Sequence, residues 1–316
     1  MKLLVTGANG FIARTFCAEA TALGFSVRGV IRDKVELPVG VESVNVGDID
    51  GSTNWEKAMT GIDVVIHLAA RVHVMHEDTA EPLNEFRRVN VEGTKHLASQ
   101  AAKCGVKRFV YVSSVKVNGE ETSADSAFIE ADVPLPSDPY GISKWEAEQA
   151  LHRVAKSTGL EVVIVRPPLV YGLGVKANFA QLVRIVRLGL PLPLASINNQ
   201  RDFIYVGNLV HALITCINHP DAEGKTYLVS DGEPVSTPNL ISYLAKAMNK
   251  YHFLFHVPIS VLRFLACLFH QSGAVDRLTQ SLRVDISKIR HELDWEPPYT
   301  MQQGLQASLS NLRVKR

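Results

Sequence analysis

Tyr140 and Lys144 stand four residues apart in the run Tyr140-Gly141-Ile142-Ser143-Lys144, a spacing that puts both side chains on one helix face. A free phenol, with a pKa near ~10, is a poor acid–base group at neutral pH. An ammonium beside it favours the phenolate and lowers that value. The pair can then give a proton to a carbonyl oxygen or take one from a hydroxyl. Ser114, at the end of an apolar strand, can hydrogen-bond the same oxygen and hold it in place. Alone, a Tyr-x-x-x-Lys run reads equally as two solvated side chains. With Ser114 and the glycine loop near the N-terminus it reads as a catalytic group.

That loop is Thr6-Gly7-Ala8-Asn9-Gly10-Phe11-Ile12-Ala13. Gly7 permits the tight turn, and Gly10 lets the backbone approach a pyrophosphate. The helix that follows offers free N–H groups and the positive end of its dipole to that anion. Gly7, Asn9, Gly10, Phe11 and Ile12 are therefore expected around a dinucleotide. Ala13 replaces the third glycine, which helix–strand packing tolerates. Domains that take NAD usually carry an acidic residue on the ribose at the end of the second strand. Here Arg32 occupies that end, and a guanidinium suits a 2′-phosphate, so NADP(H) is favoured and NAD is the alternative, with Arg32 in solvent and Asp33 on the ribose. Asp48 is placed to accept from the adenine amino group, or else is a turn aspartate. Ile49, Leu68 and Asn90 are counted with the residues around the cofactor.

To position these groups, strand and helix signals alternate through the first half. Apolar runs at 2–6, 26–31, 41–46, 63–68, 107–113 and 161–165 read as strands. Helical spacing covers 10–23, 56–59, 81–104 and 140–157, with Gly24, Gly61, Gly105 and Gly159 as stops. The rhythm predicts an α/β fold with a Rossmann-type, doubly wound parallel sheet whose ligands bind at the carboxyl ends of the strands. Prolines then cluster, and a smaller substrate-binding lobe is expected. Residues 1–166, with about 201–229, would form the dinucleotide domain, and 167–200 with 230–316 the lobe.

The 316 residues suit one large domain and a smaller lobe. Hydrophobic residues at 46% and charged residues at 21% exclude a disordered chain. A net charge of +1 gives no field for nucleic acid. Cys17, Cys104, Cys216 and Cys267 form no CxxC pair, which excludes the usual zinc spacing and suits a reducing cytoplasm. The apolar start, MKLLV, is too short for a signal peptide. The membrane-like stretch from Tyr251 to His270 is interrupted by Pro258 and Arg263, so it falls short of the ~20 apolar residues of a span. It reads as a buried or amphipathic helix beginning near Pro258, with peripheral membrane contact left open.

Taken in order, the runs TGANGFIA (6–13), HLAA (67–70), NVEGT (90–94), Ser113-Ser114, YGISK (140–144), RPPLVYG (166–172), RDFIYVGNLV (201–210) and LDWEPPYTMQQGL (293–305) resemble the extended short-chain dehydrogenase/reductases, within their nucleotide-sugar epimerases, dehydratases and reductases. The resemblance covers nearly the whole chain. It implies that Ala69 and Ala70 line the cofactor, that Pro167 borders the nicotinamide, and that Asn178 and Arg201 hold the diphosphate of a UDP-sugar. A guanidinium suits that diphosphate; the alternative for Arg201 is a surface pair with Asp202. Lys116 is expected to face substrate beside Ser114. The family's sugar dehydratases carry Asp-Glu where this chain has Val115 and Lys116, which disfavours elimination of water. The resemblance also implies a homodimer built on the 81–104 and 140–157 helices, whose exposed faces carry no decisive apolar stripe.

The expected activity is NADPH-dependent reduction of the C4 ketone of a UDP-linked 6-deoxy-N-acetylhexos-4-ulose, for surface polysaccharide. The chain is similar to the reductases of UDP-N-acetylquinovosamine synthesis. It is also similar to UDP-glucose and UDP-N-acetylglucosamine 4-epimerases, so an NAD-dependent 4-epimerase is the alternative. A non-catalytic dinucleotide-binding regulator is a third reading, against which Ser114, Tyr140 and Lys144 argue.

Overall fold

The computed structural model describes residues 1–72, 81–123, 125–175, 177–268 and 272–309, with the side chains at 177, 178, 266, 272 and 274 left aside. The chain runs β1 (Lys2–Thr6), α1 (Phe11–Ala22), β2 (Ser26–Ile31), β3 (Val41–Asn45), α2 (Glu56–Met59), β4 (Val64–His67), α3 (Pro82–Phe86), α4 (Thr94–Lys103), β5 (Arg108–Val112), α5 (Pro139–Thr158) and β6 (Glu161–Arg166). It continues β7 (Leu169–Tyr171), α6 (Ala177–Leu188), β8 (Phe203–Tyr205), α7 (Val206–Asn218), β9 (Thr226–Leu228), α8 (Thr237–Met248), α9 (Ile259–Leu268), α10 (Ser272–Thr279), α11 (Ser287–Leu293) and α12 (Met301–Leu309).

Seven strands form one parallel sheet in the order β3-β2-β1-β4-β5-β6-β9. Strand order reverses between β1 and β4, which opens the crevice where this kind of sheet binds ligands. The central strands β4 and β5 are buried along their whole length, as a sheet covered on both faces requires. One core layer packs α1 and α7 residues such as Phe16 and Leu213 on the sheet. The other packs Trp55, Leu97 and Leu151 on the opposite face. Pro167 and Pro168 follow β6 and cannot donate to a ladder, so the chain leaves the large sheet and β7 pairs with β8 in a separate two-stranded sheet. A third core, with Phe179, Leu244 and Leu305, joins α6, α8 and α12 beside it. The 201–229 stretch is divided between the two: β8 stays with β7, while β9 returns to the large sheet.

The long helix expected over 81–104 is interrupted. Between α3 and α4, residues Arg87–Gly93 form a π-helical turn, a feature frequent at functional sites. Helix α5 begins on local chemistry legible in the chain. The Asp138 carboxylate accepts from the Gly141 N–H at 2.6 Å, Pro139 holds the first helical position, and Gly159 ends the helix at φ 76.

Candidate active site and dinucleotide cleft

At the carboxyl ends of β1, β2 and β4 lies a cleft of about 340 Å³. Gly7, Asn9 and Gly10 form one wall, Arg32, Asp48 and Ile49 another, and Leu68, Ala69 and Ala70 the third. Gly7 has φ +65, and a Cβ there would stand 3.0 Å from the Ala69 Cα. The loop therefore requires glycine on two counts. Helix α1 starts without a side-chain cap, leaving its N-terminal N–H groups for an anion. Phe11 and Ile12 sit half-buried in its first turn. These features fit a dinucleotide.

The cleft floor is held by a buried chain of polar groups. Thr6 Oγ1 accepts from the N–H groups of Leu68 and Ala69, both at 3.1 Å, and lies 2.7 Å from His67 Nδ1. With both acceptor sites filled, the hydroxyl donates to Nδ1. His67 is then the neutral Nε2–H tautomer, donating to Thr94 Oγ1 at 2.8 Å. Burial, seconded by the Lys144 charge, pushes its pKa down to about 3. Asn90 lies in the π-helical turn. Its side chain accepts from the Arg71 N–H at 2.8 Å and donates to the Arg71 carbonyl and Ser143 Oγ, both at 3.0 Å. It clamps the backbone behind Ala70.

Arg32 stands exposed at the cleft between two carboxylates, 3.6 Å from Asp33 and 3.5 Å from Asp48. Two negative charges around one positive charge make that rim unfavourable to a further dianionic phosphate. Asp33 is the next residue in the chain; the approach of Asp48, from beyond β3, is set by the fold.

The candidate pair, Tyr140 and Lys144, lies at the end of β5. Lys144 Nζ lies 5.8 Å from the Tyr140 ring centroid and 4.5 Å from that of Tyr111. It donates to the Val112 carbonyl at 2.8 Å. Lys144 is buried, and that burial, partly opposed by Glu148, pushes its pKa down to about 7. Tyr140 is half-buried against the edge of Phe86. Burial, and then Asp138, push its phenol up, whereas the sequence reading expected a lowered phenol. The reason is physical: burial strips hydration from the phenolate and the Asp138 carboxylate repels it, which outweighs an ammonium 5.8 Å from the ring centroid. Ser114 follows Val112 by two residues and caps the short turn Val115–Val117. Pro167 is buried beneath, its carbonyl accepting from the Val115 N–H at 3.0 Å.

Beneath this pair is a group that sequence reasoning missed. Glu148 is fully buried, accepts from Ser113 Oγ at 2.5 Å and pairs with Arg166 at 2.6 Å. Arg166 in turn donates to Asn118 Oδ1 at 3.1 Å. The available signal was the spacing: Glu148 follows Lys144 by four residues, on the same helix face.

Lys116 Nζ reaches Asp138 at 2.5 Å and Glu120 at 3.0 Å, so it braces the start of α5, and its backbone N–H donates to Ser114 Oγ at 3.2 Å. Arg201 is half-buried, and Nη1 donates to the Gln280 carbonyl at 3.1 Å. Asp202 is not its partner: that carboxylate accepts from the Val284 N–H at 3.0 Å. Burial lowers the Arg201 guanidinium, with Glu120 opposing and Arg277 of α10 adding repulsion. Two arginines thus bear on one place, and Arg277 was not singled out from sequence. Asn178 has its side chain outside the described residues.

The profile of the NAD dependent epimerase/dehydratase family matches residues 3–230. The chain belongs to that family. Among curated relatives, it is 45% identical over 305 residues to a UDP-glucose 4-epimerase of Vibrio cholerae, covering 96% of this chain and 93% of the relative. It is 26% identical over 325 residues to the N-acetyl-alpha-D-glucosaminyl-diphospho-ditrans,octacis-undecaprenol 4-epimerase of Escherichia coli O157:H7, covering 98% and 94%. Among solved structures, MoeE5 in complex with UDP-glucuronic acid and NAD superposes with a TM-score of 0.80 at 25% identity, with both chains covered in full.

Proposed function

We propose that this chain is an NAD-dependent 4-epimerase of a UDP-hexose. The observation that carries the reading is the likeness along nearly the whole chain to the Vibrio cholerae UDP-glucose 4-epimerase; the Lys144 ammonium 5.8 Å from the Tyr140 ring at the end of β5 supports it. The two carboxylates around Arg32 support NAD over NADP.

Gly7, Asn9, Gly10, Phe11 and Ile12 would hold the pyrophosphate, Asp48, Ile49 and Asp33 the adenosine side, and Ala69, Ala70 and Pro167 the nicotinamide side. Bound there, the dinucleotide supplies a reversible acceptor and donor of hydride. Tyr140 takes the proton from the sugar O4 and returns it after the 4-keto sugar has presented its other face. Ser114 holds that oxygen. Lys144 supplies or withdraws charge beside the phenol. Arg201 and Arg277 would bind the diphosphate, leaving Lys116 and Asn178 on the sugar side. In this reading the large sheet carries the cofactor, and the lobe of residues 167–200 and 230–316 carries the nucleotide sugar.

A second reading, the NADPH-dependent 4-keto reductase for surface polysaccharide, is favoured by one observation, the position of Arg32 at the end of β2. The two separate in one preparation. An epimerase purifies with NAD bound and interconverts UDP-glucose and its C4 epimer without added cofactor. A protein that purifies empty, and oxidises NADPH only with a UDP-linked 4-keto sugar, belongs to the reductase reading.

A further inference from the structure

On the lobe, residues 188–195 run beside 251–256: Leu192 N–H donates to the Phe253 carbonyl at 2.9 Å, and Phe255 N–H to the Leu192 carbonyl at 3.1 Å. Tyr251 and Phe253 of this ribbon face outward, 97% and 62% exposed, while Leu192, Leu194 and Leu254 pack on the third core. Helix α9 follows. Its residues Val261, Phe264, Leu265 and Leu268 have the spacing of a single helical stripe. That stripe points into solvent, with Phe264 at 70% and Leu268 at 64%, while Leu262 on the other side is buried. Soluble surfaces rarely carry so contiguous an apolar face without an occupant.

The charge around it says what the occupant is. No Asp or Glu occurs from 162 to 201 or from 234 to 275, the two segments that build this face. Its exposed ionic side chains are mainly cations, Arg184 and Arg187 near the end of α6, Lys246 and Lys250 at the end of α8, and Arg263, with the Asp276 carboxylate of α10 beside Arg263. Exposed aromatic and aliphatic side chains in segments whose charges are mainly Lys and Arg are the composition of an element that lies in a membrane interface. A two-fold contact between copies would set these cations against their own duplicates. No described helix is long and apolar enough to cross a membrane, so contact is with one leaflet.

We propose that this face docks the protein on an anionic lipid bilayer, with α9 in the interface plane and Phe264, Leu265 and Leu268 among the acyl chains. Helix α9 packs against α10, and Arg263 lies 3.9 Å from Asp276. Docking therefore puts the Arg277 end of the molecule nearest the membrane.

The test is co-sedimentation of the full chain with vesicles of phosphatidylcholine alone and of an equimolar phosphatidylcholine/phosphatidylglycerol mixture. Each basic side chain at an anionic surface is worth about fivefold in partition. Binding to the mixed vesicles should exceed that to phosphatidylcholine by at least ~10-fold and fall with salt. The double substitution Phe264→Glu/Leu268→Glu should abolish it, and Lys246→Glu/Lys250→Glu should weaken it by at least ~10-fold. All four sites are exposed, so thermal unfolding and epimerisation of a soluble UDP-hexose should stay at the wild-type level. That activity assay separates failure of docking from failure of the functional reading. Wild-type protein left in the supernatant, or binding unchanged by Phe264→Glu/Leu268→Glu, overturns the proposal. So does a wild-type dimer that this substitution makes monomeric in the absence of vesicle binding, which gives the face to a second copy of the chain.

Discussion

Lys144 donates to the Val112 carbonyl at 2.8 Å, so the strand that delivers Ser114 also fixes the position of the ammonium. Burial holds the folded-state pKa of Lys144 at about 7, below its ordinary 10.5. Between those values the unfolded chain binds the extra proton, so this group makes stability rise with pH across that window; below pH 7 its full penalty applies. Measured as urea unfolding of wild type against Lys144→Met, the difference should move toward the wild type by up to about 1.4 kcal/mol per pH unit above pH 7. A difference that is flat with pH would show Lys144 to be hydrated.

Tyr140→Phe removes the proton carrier and keeps the ring that meets Phe86. Its kcat should drop by about 10²–10⁴, with cofactor content and melting temperature close to wild type. Loss of bound cofactor instead would assign the hydroxyl to binding.

The doubly wound sheet was legible because β1, β4 and β5 are short, apolar and bounded by glycines, and because Gly7 and Gly10 mark the first turn without ambiguity. That Tyr140 and Lys144 share one helix face was legible because they are four residues apart. What stayed hidden depends on partners distant in the chain. Glu148 reads as an exposed helix glutamate until Arg166 arrives from β6, 18 residues on. Arg32 reads as a free guanidinium until Asp48 arrives from beyond β3. The π-helical turn at Arg87–Gly93 has no Pro to announce it; only the completed contacts of Asn90 explain it.

Gly7→Ala puts a methyl group 3.0 Å from the Ala69 backbone in a left-handed conformation. The expected cost is about 1–3 kcal/mol of stability. Bound dinucleotide should also be lost, as read by absorbance of the denatured, deproteinised sample.

Glu148→Ala leaves Arg166 buried without its carboxylate. Chemical denaturation should report a loss of about 3–5 kcal/mol. Glu148→Gln, which keeps the shape and can still accept from Ser113, should recover part of it. Equal stability of both variants and wild type would mean that water replaces the pair.

Arg32→Ala touches only an exposed ion-pair cluster. Under the NAD reading, affinity for NAD should change by less than about fivefold. A much larger loss, confined to NADP(H), would return the chain to the reductase reading.

The π-helical turn puts the two ends of one helix out of phase. An ordinary α-helix advances about 100° per residue, so the extra residue of the wider turn lets the front end face α5 while the back end is aimed separately at β4. Phe86 ahead of the turn meets Tyr140, and Thr94 behind it meets His67. Deleting one residue between them would regularise the helix and remove the turn from which Asn90 clamps Arg71. The catalytic tyrosine's wall and the cleft floor could not both be kept. That spare residue lets one helix send two separately aimed ends, one to the Tyr140 ring and one to the His67 imidazole.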